Sequence, residues 1–417
     1  MRVLLITDWN RGQGGAENYI ASLRDGLRAA GDEVRLLTSS AGSAGNGQAE
    51  HVAFGTNHLA AQTVLQIANP FAAALVRRVR AEMRPEVALV NMFAHHLSPS
   101  VLTALEGVPT VLLVSDYKCI CPIGSKLLPN DSLCNVKAGW NCCRNGCVNP
   151  IHWVRDQPRY GRIRAGVRRV ARVLACSEYV KQELARNGIG SEVEKLPVPA
   201  PMAKFHRQPA RDPVFVFYGR LEREKGVDLL LRAFAQLCRV FPKARLRIIG
   251  HGLLWERLET IAAELGLTST VEFFGWLSMT EIEEKLHDAW AVVVPSLWAE
   301  PLGLVAIEAI VRGVPVIASK IGGLAEIVEE GVSGLLFQNN SEVALLECLS
   351  AIASRRAFPT QTLPDGVVSR AQETFSMEGH VEVVRKIFTE VTSSSRIKVR
   401  LTNRAEPQTK PRPLQRS

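Results

Sequence analysis

Residues 291–309 read AVVVPSLWAEPLGLVAIEA. A short, continuous apolar run closed by Pro295 has the look of a strand buried on both faces. Pro301 and Gly303 shape a turn, and Leu304 to Ile310 carry a helical pattern. A strand passing through a turn into a helix is the repeating unit of a parallel sheet sheathed by helices. This unit decides the fold because the chain repeats it in both directions.

Upstream, RVLLITD (2–8), GDEVRLLTS (31–39), VALVNM (87–92), TVLLVSD (110–116) and RVLACS (172–177) are strand-like runs. Downstream of a Pro-rich basic stretch, LPVPAPMAKFHRQPARDP (196–213), the pattern restarts with VFVFYGR, ARLRIIG, VEFFG, AVVVPS, PVIAS and GLLF. The expected fold is α/β: two Rossmann-like, doubly wound parallel-sheet domains, residues 1–200 and 201–376, facing across a cleft. Ligands of open α/β sheets bind where the carboxyl ends of the strands meet such a cleft. A helix over 377–392 is expected to pack back on the domains. Residues 393–417 hold seven Lys/Arg against one acid and are predicted to be a disordered basic tail. Residues 119–158 break the alternation as a loop-like insertion rich in Cys, Asn, Gly and Pro.

Composition bounds the function. The chain has 417 residues, 47% apolar, with a formal charge of +9 and a pI near 9.2. That excludes a fibrous or wholly disordered chain and suits an anionic partner. No run long enough to span a bilayer occurs, and MRVLLITDW reads as a first buried strand, so a cytoplasmic location is expected. Six of the nine cysteines crowd between Cys119 and Cys147. In a reducing compartment such crowding points to metal before disulfides, and Cys121, Cys134, Cys142, Cys143 and Cys147 are the candidate ligands of a structural zinc.

The opening stretch also carries chemistry. Glu300 lies at a strand end and Glu308 inside the following helix, whose first amides and positive dipole end suit a phosphate. Two carboxylates so placed can grip the two sugars of a nucleotide-sugar, with the diphosphate between them. In FYGRLEREKG (217–226), Arg220 and Lys225 are two cations past another strand end, able to stabilise a leaving diphosphate. Gly250 and Gly252 in RLRIIGHG would let the chain pass close to a ligand. GGAEN (14–18) puts Gly14 and Gly15 in the first strand–helix loop of the other domain. The three-glycine dinucleotide fingerprint and the Walker pattern are both absent. No Asp-x-Asp occurs, so no metal is expected to be obligatory for catalysis.

These stretches, with GGAE (14–17), YGRLEREKGVDLLLRAF (218–234), FFGWLS (273–278) and GVPVIASKIGGLAEIVEEGVSGLLF (313–337), resemble family 4 of the retaining glycosyltransferases, which has the GT-B fold. The resemblance implies a nucleoside-diphosphate-sugar donor and a glycan acceptor, lipid-linked in surface polysaccharide synthesis. It implies that Arg220 and Lys225 bind the diphosphate and that Glu300 contacts the donor sugar. Gly303 and Leu304 would offer backbone N–H groups to the phosphate from the donor-binding turn that Pro301 and Leu302 begin, Glu308 would hold the ribose, and Trp276 and Leu277 would lie beside the base. Gly14 and Gly15 would approach the phosphate or acceptor from the first domain.

TVLLVSDYKCICPIGSKLLPN (110–130) resembles a subgroup with a His-Asp-Tyr-Lys element and a Cys-rich insertion. Here Ser115 replaces that histidine, while Asp116, Tyr117 and Lys118 remain. Asp116 is the catalytic candidate on this side. Ser115, Tyr117, Lys118 and the upstream His95 and His96 are candidates for acceptor contact. Further on, QPRYGRIRAGVRRVARV (157–173) is read as a helix starting near Pro158. Ile163, Val167 and Val170 form its apolar stripe and Arg155, Arg159, Arg162 and Arg169 a basic one, with Arg155 ahead of the helix start and Arg164 and Arg168 nearby, fit for a core-facing helix or an anionic membrane. Nucleic acid is not an expected partner, since no aromatic-rich basic groove is evident. Two rival readings stay open: a sugar-nucleotide epimerase on the same fold, and a non-catalytic nucleotide-sugar-binding partner protein.

Overall fold

The structure, a computed structural model, describes residues 1–9, 15–42, 49–189, 193–202 and 205–404. The first sheet has seven strands: β1 (Arg2–Thr7), β2 (Glu33–Ser39), β3 (His51–Ala53), β4 (Val87–Asn91), β5 (Thr110–Val114), β6 (Arg172–Ala175) and β7 (Val193–Lys195). Their order is β3-β2-β1-β4-β5-β6-β7, with every pair parallel. Between them run α1 (Gly15–Ala29), α2 (Leu59–Ile67), α3 (Pro70–Met83), α4 (Ser100–Ala104), α5 (Asn141–Arg144), α6 (Pro150–Val167) and α7 (Glu178–Arg186). The second sheet has six strands: β8 (Val214–Tyr218), β9 (Arg245–Ile249), β10 (Val271–Phe273), β11 (Ala291–Val294), β12 (Val316–Ser319) and β13 (Gly334–Phe337). They too are all parallel, in the order β10-β9-β8-β11-β12-β13. Its helices are α8 (Val227–Val240), α9 (Trp255–Glu264), α10 (Met279–Leu286), α11 (Leu304–Ile310), α12 (Leu324–Ile327), α13 (Glu342–Ala353) and α14 (Asp365–Thr374). The last helix, α15, spans Met377–Arg404.

The central strands β1, β4, β5, β8 and β11 are almost wholly buried, as continuous apolar runs covered on both faces must be. In each sheet the strand order reverses once, between β1 and β4 and between β8 and β11. These are the switch points where strand ends part and a ligand crevice opens.

Three expectations are revised. The last helix does not stop at residue 392 but runs to Arg404, so the first part of the basic tail is helical. Its Arg385 pairs with the buried Asp32 at 3.0 Å, and α15 packs on α1 and β4 of the first sheet. The basic helix starts at Pro150 rather than near Pro158. Asn149 caps it by accepting from the His152 amide, and Pro150 suits a first-turn position that needs no donor. Arg159, expected on the solvated stripe, is buried, and Val170 falls beyond the helix end. Finally, the insertion is not all loop: it holds an antiparallel bridge between Leu127 and Leu133, the short α5, and the first turns of α6.

The insertion also joins the two halves. Leu127 is buried within the apolar core of the second sheet, where one leucine stabilises by roughly 2 kcal/mol. The Arg223 guanidinium donates to the Leu128 and Pro129 carbonyls at 3.0 and 2.6 Å and pairs with Asp131 at 2.5 Å. Behind it, the buried Lys126 and Glu183 form an ion pair.

Candidate active site

Glu300 is buried after β11. Its Oε1 accepts from Lys225 Nζ at 2.6 Å and from Ser296 Oγ at 2.6 Å. Burial alone would raise its pKa, but the Lys225 ammonium, with the hydrogen bonds from Lys225, Ser296 and Trp298, holds the carboxyl below its usual value. Lys225 ends a short 3-10 turn, Arg223–Lys225, and lies 5.5 Å from the Trp298 ring centroid. Gly226 follows with φ 66°, and a Cβ there would strike the Pro295 carbonyl, so the cationic loop lies directly on the strand end that carries Glu300. Arg220 is more exposed and pairs with Glu224 at 3.3 Å.

Glu308 is buried on α11. Burial pushes its pKa up to about 7, against the opposing pull of Arg312 and the Tyr218 hydroxyl. The turn between the two acids is clasped from behind. Gly322 (φ 57°) and Gly323 pack against the backbone of residues 299–302, and the Gly323 amide donates to the Glu300 carbonyl at 2.8 Å. Gly303, at φ 93°, caps α11 in the left-handed region. Pro301 and Leu302 are buried in the turn, while Leu304 is half-buried at the helix start. Trp276 is exposed and Leu277 half-buried in the loop after β10.

The close approach made by Gly250 and Gly252 is to the chain itself. A Cβ at either would collide with the backbone of Gly219 or Leu221, because the loops after β8 and β9 cross there.

The first domain supplies the facing wall. The buried Asp8, past β1, accepts amide protons from His95, His96 and Leu97 at 2.6, 2.9 and 2.7 Å. This pins the loop after β4. His95 is half-buried, with Nε2 3.8 Å from Asp116 Oδ2. Burial would raise the Asp116 pKa, but His95 and the Lys118 amide lower it, so this carboxyl is an anion. His96 is buried against Trp9, ring centroids 4.9 Å apart, and packs rather than facing a ligand. Ser115 donates to Asn91 Oδ1 at 2.8 Å. The hydroxyl of the buried Tyr117, expected at the acceptor, donates to the Ala299 carbonyl at 2.7 Å. It ties one domain to the residue before Glu300. Lys118 turns back to the Ile123 carbonyl at 3.4 Å. Gly14 lies outside the described residues, and Gly15 opens α1.

The expected zinc site does not assemble. Among the described residues no three metal-binding side chains converge closely enough to hold an ion, and all nine cysteines are free thiols. Cys121 and Cys142 are buried, and burial raises the thiols of Cys142 and Cys147, the latter to about 11. A protonated thiol in an apolar setting packs as a small hydrophobe.

Sequence reasoning missed Ser296, Tyr218 and Gly322. The signal for Ser296 was its place in the same loop, four residues before Glu300. Tyr218 and Gly322 meet the site only through the fold.

Comparison with known proteins bears on the two domains and their fold. Residues 14–199 match the family described as Glycosyl transferase 4-like domain, and residues 201–360 match Glycosyl transferases group 1. A D-inositol 3-phosphate glycosyltransferase of Nocardia farcinica is 36% identical over 152 residues, 35% of this chain and 34% of that protein. A glycogen synthase of Mycobacterium tuberculosis is 41% identical over 130 residues, 31% of each. The matched stretches thus span about a third of these curated relatives. In three dimensions, sucrose-phosphate synthase from Thermosynechococcus elongatus superposes with a TM-score of 0.73 at 20% identity, covering 94% of this chain and all of that one. An Anabaena protein solved with UDP gives 0.68 at 19% identity over the same shares. Residues 14–199 are thus similar to a glycosyl transferase 4-like domain and residues 201–360 to a glycosyl transferases group 1 domain, on two parallel-sheet lobes with the GT-B fold.

Proposed function

We propose that the protein transfers a sugar from a nucleoside-diphosphate-sugar, with UDP the first base to test, to a glycan acceptor, and keeps the anomeric configuration. The observation carrying this reading is the Lys225–Glu300–Ser296 cluster at the β8/β11 switch point, with the buried Glu308 one turn into the helix that follows. Lys225 and Glu300 pair with each other. A diphosphate takes the lysine and the donor sugar's hydroxyls take the carboxylate. Arg220 reaches the same phosphates, and Glu308 receives the ribose diol.

In the transfer, the bond between the sugar C1 and the phosphate oxygen breaks. The acceptor oxygen bonds to C1 on the same face, and its proton passes to the departing phosphate. Lys225 and Arg220 stabilise the charge that develops on the leaving group. The acceptor sits on the wall made by Asp116, Ser115 and His95. His95, 3.8 Å from Asp116, stands in for the histidine absent at position 115. We assign the acceptor to the lipid-linked glycans of surface polysaccharide synthesis, met at an anionic membrane.

Thermal-shift titration with UDP-, GDP-, ADP- and dTDP-sugars tests the donor site, since a bound donor raises the melting temperature by mass action. Product analysis by NMR then reads the anomer. A new glycosidic bond of unchanged configuration supports transfer. A changed sugar epimer would mean an isomerase, and binding without turnover a non-catalytic partner protein.

A further inference from the structure

The outer surface of the first domain carries a cluster of exposed apolar side chains. Helices α2 and α3 meet at a 51° bend, and both leave apolar side chains in solvent. Leu59 is 78% exposed, Val64 65% and Phe71 56%, and Phe71 stacks edge-on against the exposed Phe54 at 5.3 Å. Helix α6 packs against α2 and continues the patch with Ile151, 78% exposed, and Val154. Along α6 the same outward stripe changes character. Ile151, Val154 and Pro158 give way to Arg162, and Arg169 follows just past the helix end, all exposed. Over residues 150–169 there are five exposed arginines, Arg155, Arg162, Arg164, Arg168 and Arg169, against one acid, Asp156. Asp156 pairs with Arg155. Among the described residues no single helix is long and apolar enough to cross a membrane.

We propose that this α2–α3–α6 face docks on the surface of an anionic phospholipid bilayer. Its aromatic and aliphatic side chains enter the headgroup boundary, and the arginine end of α6 meets lipid phosphates. Charge complementarity selects the occupant: a protein groove for an apolar patch has no need of an unneutralised arginine cluster beside it, whereas an anionic lipid surface attracts both parts.

The inner side of the same elements reaches the acceptor wall. The buried Arg159 of α6 donates to the Ala94 carbonyl at 2.8 Å, next to His95. Asn69, which caps α3, donates to the carbonyls of both Phe54 and His96 at 2.8 Å. One layer of helix therefore separates the docking face from the loop proposed to hold the acceptor. A lipid-linked glycan entering from the bilayer meets that loop first. The docking itself does not rest on transfer in the cleft, so its failure leaves donor binding untouched.

Co-sedimentation of the full chain with phosphatidylcholine vesicles, alone or mixed with phosphatidylglycerol, tests the proposal. The expected result is binding to the mixed vesicles and little to the neutral ones. Arg162→Gln with Arg169→Gln should weaken it about 30-fold, as two lost surface cations predict. Ile151→Asp with Phe71→Asp should reduce it at least about tenfold. Arg257→Gln, on the second domain, should bind like wild type. All of these positions are exposed, so melting temperatures should stay level and report intact folds. No binding to anionic vesicles overturns the proposal. So does wild-type binding by the α6 pair, which would place the attraction in the basic C-terminal segment. A dimer in solution that Ile151→Asp dissociates would make the patch a self-association surface and overturn it as well.

Discussion

At the scale of single residues, Lys225 and Glu300 are mutual counter-ions, and the two parts of the proposed donor would take one group each. Lys225→Ala or Glu300→Gln should lower turnover roughly 10²–10³-fold, the scale of losing one preorganised charge at a reacting group. Both should leave the circular dichroism spectrum unchanged; near-normal kcat in both would remove the cluster from the chemistry. Glu308 gives a prediction with a sign. Its carboxyl titrates near 7 folded, against 4.5 for the ordinary value. The stability linked to its proton is therefore complete below about 4.5 and is lost as pH rises through 7, by roughly 3 kcal/mol in all. Glu308→Gln should melt above wild type at pH beyond 7, lose that advantage in acid, and bind UDP more weakly. A pH-independent difference in melting temperature would mean the carboxyl is not the titrating group. His95→Asn should cut kcat while leaving the donor-induced thermal shift intact, and an equal loss of both would move His95 out of the acceptor wall. The placing of Lys225 and Glu300 at strand ends, where the structure pairs them, is legible because strand ends are punctuated by Pro and Gly. Tyr117 was misjudged because nothing local shows that its hydroxyl spans 182 residues of chain to reach Ala299.

At the scale of elements, the strand–turn–helix units were readable because strands buried on both faces write themselves as unbroken apolar runs. The start of α6 was not, since Asn149-Pro150 is a cap hidden in a Cys-rich stretch, while Pro158 drew attention as a false start. Glycine roles were half readable. A close approach at Gly250 is legible in the sequence, but it reads as an approach to a ligand, and the chain crossing it accommodates is made by residues distant in sequence. Gly322→Ala tests the clasp around the turn. With φ 57° and the Glu300 carbonyl in the way of a Cβ, the variant should lose about 1–3 kcal/mol of stability. It should also weaken the thermal shift by UDP. A wild-type melting curve would show that the turn relaxes freely.

At the scale of the whole molecule, the insertion and the Tyr117 hydroxyl bridge the lobes. Arg223→Ala frees the Leu128–Asp131 segment from the second lobe while sparing Lys225 itself. Small-angle scattering should then show a larger radius of gyration without donor, and a donor KM raised more than kcat is lowered. Unchanged scattering would mean that the buried Leu127 suffices as the tether. The final helix has a different bearing on how the polypeptide can be divided. It ends the second half of the chain, yet it lies on α1 and β4 and answers Asp32 through Arg385. A fragment stopping at the linker would carry α1 with its partner stripped away. Supplied in trans, a peptide of residues 377–404 should dock on that fragment and restore its solubility, so the protein is a natural substrate for fragment complementation.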